Sequence, residues 1–147
     1  MQQILEFLDL IGIATRATTI TGETFVPGIR MERGSILYDP SRMTYPGDLL
    51  HEAAHIAFAT PSQRPSMSDS AGTDAGEEMA AIAWSYAAAI HLNIDPAIVF
   101  HNGGYKGSSR ALIENFGQRR YIGVPLLQWA EMTTYETFPA MTKWLRD

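Results

Sequence analysis

The chain has 147 residues, 46% of them hydrophobic and 18% charged, with a net charge of −5 and no cysteine. That length and composition fit a single domain over 1–147 with a real core, and they exclude wholesale disorder. The acidic balance argues against a nucleic-acid partner, and the lack of cysteine excludes disulfides, thiolate nucleophiles and cysteine-held zinc.

The first element read along the chain is an amphipathic helix over 2–13, because Ile4, Leu5, Leu8 and Ile11 fall at helical spacing. It is no secretory leader: a basic start is missing, and Glu6 and Asp9 interrupt the apolar run. No segment approaches the ~18 apolar residues of a membrane span, so a soluble, cytoplasmic protein with no membrane partner is expected. Two short strands follow, about 24–32 and 35–38, joined by a turn at Arg33-Gly34. Pro27 confines the first of them to an edge or a bulge.

A helix is expected next from about Pro46 to Ala59, with Asp48 near the positive end of its dipole and Pro61 ending it. Residues 60–76 form a polar loop, the longest irregular stretch, of a length that is often functional. The run EEMAAIAWSYAAAIHL is apolar almost all the way round and reads as a buried helix. Asp95-Pro96 opens another helix, and residues 101–109 form a glycine-rich loop. Shorter helices are expected at about 108–117, 124–132 and 138–146. The basic residues Arg119 and Arg120, with Lys106 and Arg110 upstream, read as solvated surface. The order of elements gives an α+β, helix-dominated fold.

The chemistry concentrates in His51-Glu52-Ala53-Ala54-His55. In a helix, positions four apart are separated by about 40° around the axis and about 6 Å along it. His51 and His55 therefore face the same way, and their imidazoles can converge on one Zn2+ ion. Glu52 stands about 100° round from His51. It is badly placed as a third ligand but within reach of a water beside the metal, so it is the candidate catalytic base. The bland reading is two surface histidines and a solvated glutamate; the apolar context and sharp helix start argue against it.

A third ligand must be His, Asp or Glu. Phe58 and Pro61 occupy the positions of the Gly and His in the extended HExxHxxGxxH pattern, so no third histidine comes from there. The buried helix opens on Glu77-Glu78, and a carboxylate there is costly unless a cation compensates it. Asp74 and Glu77 have capping-box spacing, which gives Glu77 a structural task. Glu78 heads a face of Ala81, Ile82, Ser85 and Ala89 that lets a neighbouring helix approach. Glu78 is therefore preferred, with Glu77 as the fallback, and both remain open as simple helix-dipole charges. Tyr105 and His101, on the glycine-rich loop, are candidate catalytic donors to a developing oxyanion; the alternative is a turn residue and a helix-end histidine. Tyr86, His91 and the three tryptophans have simpler readings as core, helix-end or interface residues.

HEAAH followed 22 or 23 residues later by EEMAAIAWSYAAA resembles the gluzincins, zinc metallopeptidases whose third ligand is a Glu on the next long helix. The two strands before the motif look like the small sheet that precedes it in zincins. The resemblance spans roughly 24–92 and looks most like a minimal, bacterial-like member. It implies a zincin-like fold with a small N-terminal β-hairpin or sheet. In it, the HExxH helix packs on a buried helix, with His51, His55 and Glu78 or Glu77 as ligands, Glu52 as general base, and a peptide or protein substrate. Many gluzincins carry E-x-x-x-D on that second helix, the Asp bracing a ligand His. Here the position is Ala81 or Ile82, so the brace must come from elsewhere. A second reading rests on that departure: a non-catalytic zincin-like binding or regulatory domain with structural metal or none.

Overall fold

The computed structural model describes residues 1–69 and 74–147, without the side chain of Lys106. Helix α1 (Gln2–Ile11) buries Ile4, Phe7 and Leu8. It ends at Gly12, whose left-handed φ of 97° lets Gly12 and Ile13 N–H turn back to the carbonyls of Asp9 and Leu8.

Three short strands form one mixed sheet in the order β1-β3-β2. Strand β1 (Thr15–Ala17) runs parallel to β3 (Ser35–Tyr38), and β2 (Ile29–Glu32) antiparallel to it. The turn expected at Arg33-Gly34 is present; both residues have positive φ, 50° and 75°, as a tight hairpin requires. The strand expected over 24–32 is shorter. Before Ile29 only an isolated bridge at Val26 remains. Gly28 has φ +72° and backs onto Met43, whose backbone N would lie 2.4 Å from an added Cβ, so the chain turns there. Strand β1 was not expected: it is three residues long and mostly exposed, and carries no alternation.

Helix α2 (Asp48–Phe58) packs along α3 (Ala75–His91). Both helices are rich in small side chains: Ala53, Ala54, Ala57, Ala80, Ala81, Ala87 and Ala88 are all fully buried. The Asp74 side chain caps α3 by accepting the Glu77 backbone N–H at 2.7 Å, the Asp74 half of the expected capping box. Helices α4 (Pro96–Val99), α5 (Ser109–Gly117) and α6 (Val124–Trp129) complete the α+β, helix-dominated architecture. Asp95 caps α4 through Ala97 N–H, as Asp95-Pro96 implied. The loop expected over 60–76 contains a short 3-10 turn at Arg64–Ser66 and a bridge from Ser68 to Glu32; its residues 70–73 lie outside the described residues.

The expected helix at 138–146 does not form. The backbone N–H groups of that segment bond elsewhere: Thr142 and Lys143 to the Met132 carbonyl, Arg146 to that of Ala57. The segment thus lies against the C-terminal end of α2. Arg64 closes the same end, with Nε donating to the Ile56 carbonyl at 3.0 Å and Nη2 to the carbonyl of Arg146. One continuous core, with Trp84, Phe100 and Phe116 among its largest members, runs beneath all these elements. Among the described residues, no helix is long and apolar enough to cross a membrane.

Candidate metal centre

The four-residue spacing on α2 turns His51 and His55 to the same side, where the first turn of α3 brings Glu78 against them. His51 Nε2 and His55 Nε2 are 3.2 Å apart. Glu78 Oε1 lies 3.0 Å from His51 Nε2, and Oε2 lies 3.3 Å from His55 Nε2. Donor atoms around a tetrahedral zinc at about 2.0–2.1 Å lie about 3.3 Å from one another. The three groups, two imidazoles and a carboxylate, are therefore spaced as zinc ligands would be, and they suit a divalent ion. Glu77 is exposed and stands outside this group, although it borders the same cleft.

The charges are interdependent. Hydrogen bonds from His51 and His55 hold the Glu78 carboxyl well below the usual carboxylate range, against the opposing effect of burial. Burial by itself would lower the pKa of His51. The hydrogen bond and charge of Glu78, with the charges of Glu52 and Asp48, outweigh it and raise the pKa above its ordinary value. Burial pushes Glu52 up; the nearby Asp69 and Asp48 add to this, and the two histidines only partly oppose it. Glu52 is thus a half-buried carboxylate with enhanced proton affinity beside the ligand atoms.

Tyr105 reaches His51, but on the other ring nitrogen: its hydroxyl lies 3.2 Å from Nδ1. It is therefore placed to orient the His51 ring, a position that differs from the oxyanion-facing one expected of it. Were a metal bound at Nε2, Nδ1 would carry the proton and donate it to the tyrosine oxygen. Burial foremost, then the charges of Asp48, Glu78 and Glu52, raise the phenol pKa strongly, so it stays a neutral hydroxyl.

His101 is not at the ligand atoms. Its Nδ1 accepts the Gly103 N–H at 3.1 Å, so Nε2 carries the proton and donates it to Asp48 Oδ1 at 2.6 Å. Tyr45 stacks on the ring, with centroids 3.6 Å apart and planes 6° from parallel. Both nitrogens are committed, and the ring fastens the loop carrying Tyr105 onto the start of α2. Sequence reading missed this use of Asp48, which it took as a dipole charge. Its spacing of three from His51 on one helix face was the available signal.

Two clefts flank the ligand group, of about 740 Å³ and about 620 Å³, and both are bordered by His51 and Glu78. The larger holds Glu52, His55, Asp69, Trp129 and Arg146; the smaller holds Tyr45, Asp48, His101 and Tyr105. Phe25, 80% exposed, borders both. Compared with family models, with curated proteins and with solved structures, the chain matches none.

Proposed function

We propose that the protein is a zincin-like, zinc-dependent hydrolase that cleaves peptide bonds, with His51, His55 and Glu78 as the metal ligands. The observation that carries this reading is the convergence of those three donor groups beside Glu52 in an open cleft. A zinc ion bound there would supply a Lewis acid for the scissile carbonyl and acidity for the attacking water. Glu52 would be the base that takes a proton from the attacking water and returns it to the leaving amine; its raised pKa suits both acts. Tyr105 fixes the His51 ring through Nδ1, the role left vacant at Ala81 and Ile82. The Asp48–His101 pair holds the Tyr105 loop in place. Clefts on both sides of the ligand group give an extended chain room on either side of the cleaved bond.

The test is metal content and peptide cleavage of the zinc-loaded protein beside Glu52→Gln. Both proteins should hold zinc, and only the wild type should cleave a mixed peptide library. Cleavage undiminished in the variant, or a wild type that retains no metal after loading, overturns the reading.

A further inference from the structure

The larger cleft is lined by a cation that forms no ion pair among the described residues. The Arg146 guanidinium lies over two aromatic rings, its Cζ 5.2 Å from the Phe58 centroid and 4.7 Å from that of Trp129. Nη1 donates to the Phe58 carbonyl at 3.2 Å. Among the described residues no carboxylate comes within ion-pair distance of it; its neighbour Asp147 is engaged by Lys143 at 2.5 Å. Trp129, the last residue of α6, is 68% exposed and lines the same cleft. The exposed tryptophan and the arginine over its ring thus border the same cleft as His51, His55 and Glu78.

A purely structural role does not account for these groups. The C-terminal segment is already fastened by its backbone, with Arg146 N–H on the Ala57 carbonyl and Arg64 on the Arg146 carbonyl. Among the described residues, the guanidinium's one hydrogen bond is that to Phe58. A guanidinium has donors enough to receive a carboxylate in a two-point contact while it also lies over aromatic rings. The cation–π contacts with Phe58 and Trp129 help to hold it in place.

We propose that Arg146, Trp129 and Phe58 form a subsite for a carboxylate of the ligand that enters this cleft. The carboxylate is an acidic side chain or a free C-terminus. This rests on the hydrolase reading for calling that ligand a substrate. The subsite makes the protein selective for peptides with negative charge at a set distance from the metal-ligand group, and Arg146 is the residue that sets the selectivity.

The test uses a pooled N-acetylated hexapeptide library in matched forms: free C-terminal acid against C-terminal amide, and, among amides, Glu-containing against Gln-containing. Binding is measured by calorimetry on zinc-loaded Glu52→Gln, and cleavage on the zinc-loaded wild type. One charged form should bind about tenfold tighter than its neutral match. The acid–amide comparison reports a terminal carboxylate, and the Glu–Gln comparison an acidic side chain. Adding Arg146→Gln should abolish the preference while affinity for the neutral form stays within about twofold; adding Arg146→Lys should restore part of it. Trp129→Leu, which leaves the Arg146 backbone bonds intact, should weaken the charged form more than the neutral one. Equal binding of charged and neutral forms, equal loss of both in Arg146→Gln with an unchanged Tm, or no binding of any form overturns the subsite. If Arg146→Gln fails to fold, an equal loss of both forms in Trp129→Leu does so instead. Charge-selective binding without cleavage by the wild type refutes the hydrolase reading alone. Cleavage without charge preference refutes the subsite alone.

Discussion

Tyr105 holds a left-handed backbone conformation, φ 58°, which non-glycine residues seldom adopt, and in doing so delivers its hydroxyl to His51 Nδ1. A partner on the outer nitrogen of a ligand histidine typically changes metal affinity by about 10–100-fold. Tyr105→Phe is expected to weaken zinc binding by about that factor, measured by competition with a chromogenic chelator; an unchanged affinity would remove the hydroxyl from the account. Asp39 supplies a residue-scale prediction away from the site. Its carboxylate accepts N–H from Ile20 and Ser41, both at 3.0 Å, and the Ser41 hydroxyl at 2.7 Å. Led by the Ile20 bond, these contacts lower its pKa below the ordinary value. A depressed folded-state pKa stabilises the fold above the unfolded-state pKa of about 4, and that stability is lost as pH falls through the lower folded-state value. Asp39→Asn should therefore lower Tm clearly at pH 7 and much less at pH 3, read by circular dichroism. Neither role was legible in the sequence, because each depends on a partner brought close by the fold. His51, Glu52 and His55 were legible because one helical turn defines their geometry.

The elements that carry the ligands depend on close backbone approach. A Cβ added at Gly47, the residue capping the start of α2, would meet the Ile98 carbonyl oxygen of α4 at 2.1 Å. Gly47 has φ −64°, so the obstacle is steric contact and backbone strain plays no part. Gly47 has helical φ and ψ, so the reduced freedom of the unfolded chain alone would make Gly47→Ala stabilising by about 0.4–1 kcal/mol. The contact instead predicts destabilisation of about 1–3 kcal/mol, with weaker zinc binding because His51 lies one turn further on. The sign of the Tm change decides between the two effects. At this scale α2 and α3 were legible because they are long and consistently apolar. Glu78 was only preferred over Glu77, for the small residues on its face and because Glu77 has capping-box spacing from Asp74; the fold brings Glu78 to the histidines. Strand β1 was not legible, since Thr15–Ala17 offers no period and gains its place only by pairing with β3. The segment 138–146 misled for the opposite reason. Its apolar spacing imitates a helix, yet its backbone bonds are taken by Met132 and Ala57.

For the whole molecule, the ligand group joins two helices that already pack against each other. Glu78 lies 3.0 and 3.3 Å from the two histidines, and the core is continuous beneath them. That continuous core predicts a fold that stands without metal, with zinc acting as a ligand of the folded state. Such a ligand stabilises by about 2.7 kcal/mol at a free concentration of 100 Kd. For a chain of this size each kcal/mol moves Tm by about 2–4 °C, so zinc should raise Tm by about 5–10 °C. Chelator should return the protein to its metal-free Tm with its helical circular dichroism intact. His55→Ala should fold and lose the shift, because it removes one of three proposed ligands and leaves the buried alanines of α2 and α3 in place. Collapse of the helical signal on chelation would mean that the metal builds the fold. A shift that survives in His55→Ala would place the ion elsewhere. The expected pattern, a folded metal-free protein stabilised through His51, His55 and Glu78 together, is what a catalytic site on a self-sufficient scaffold requires.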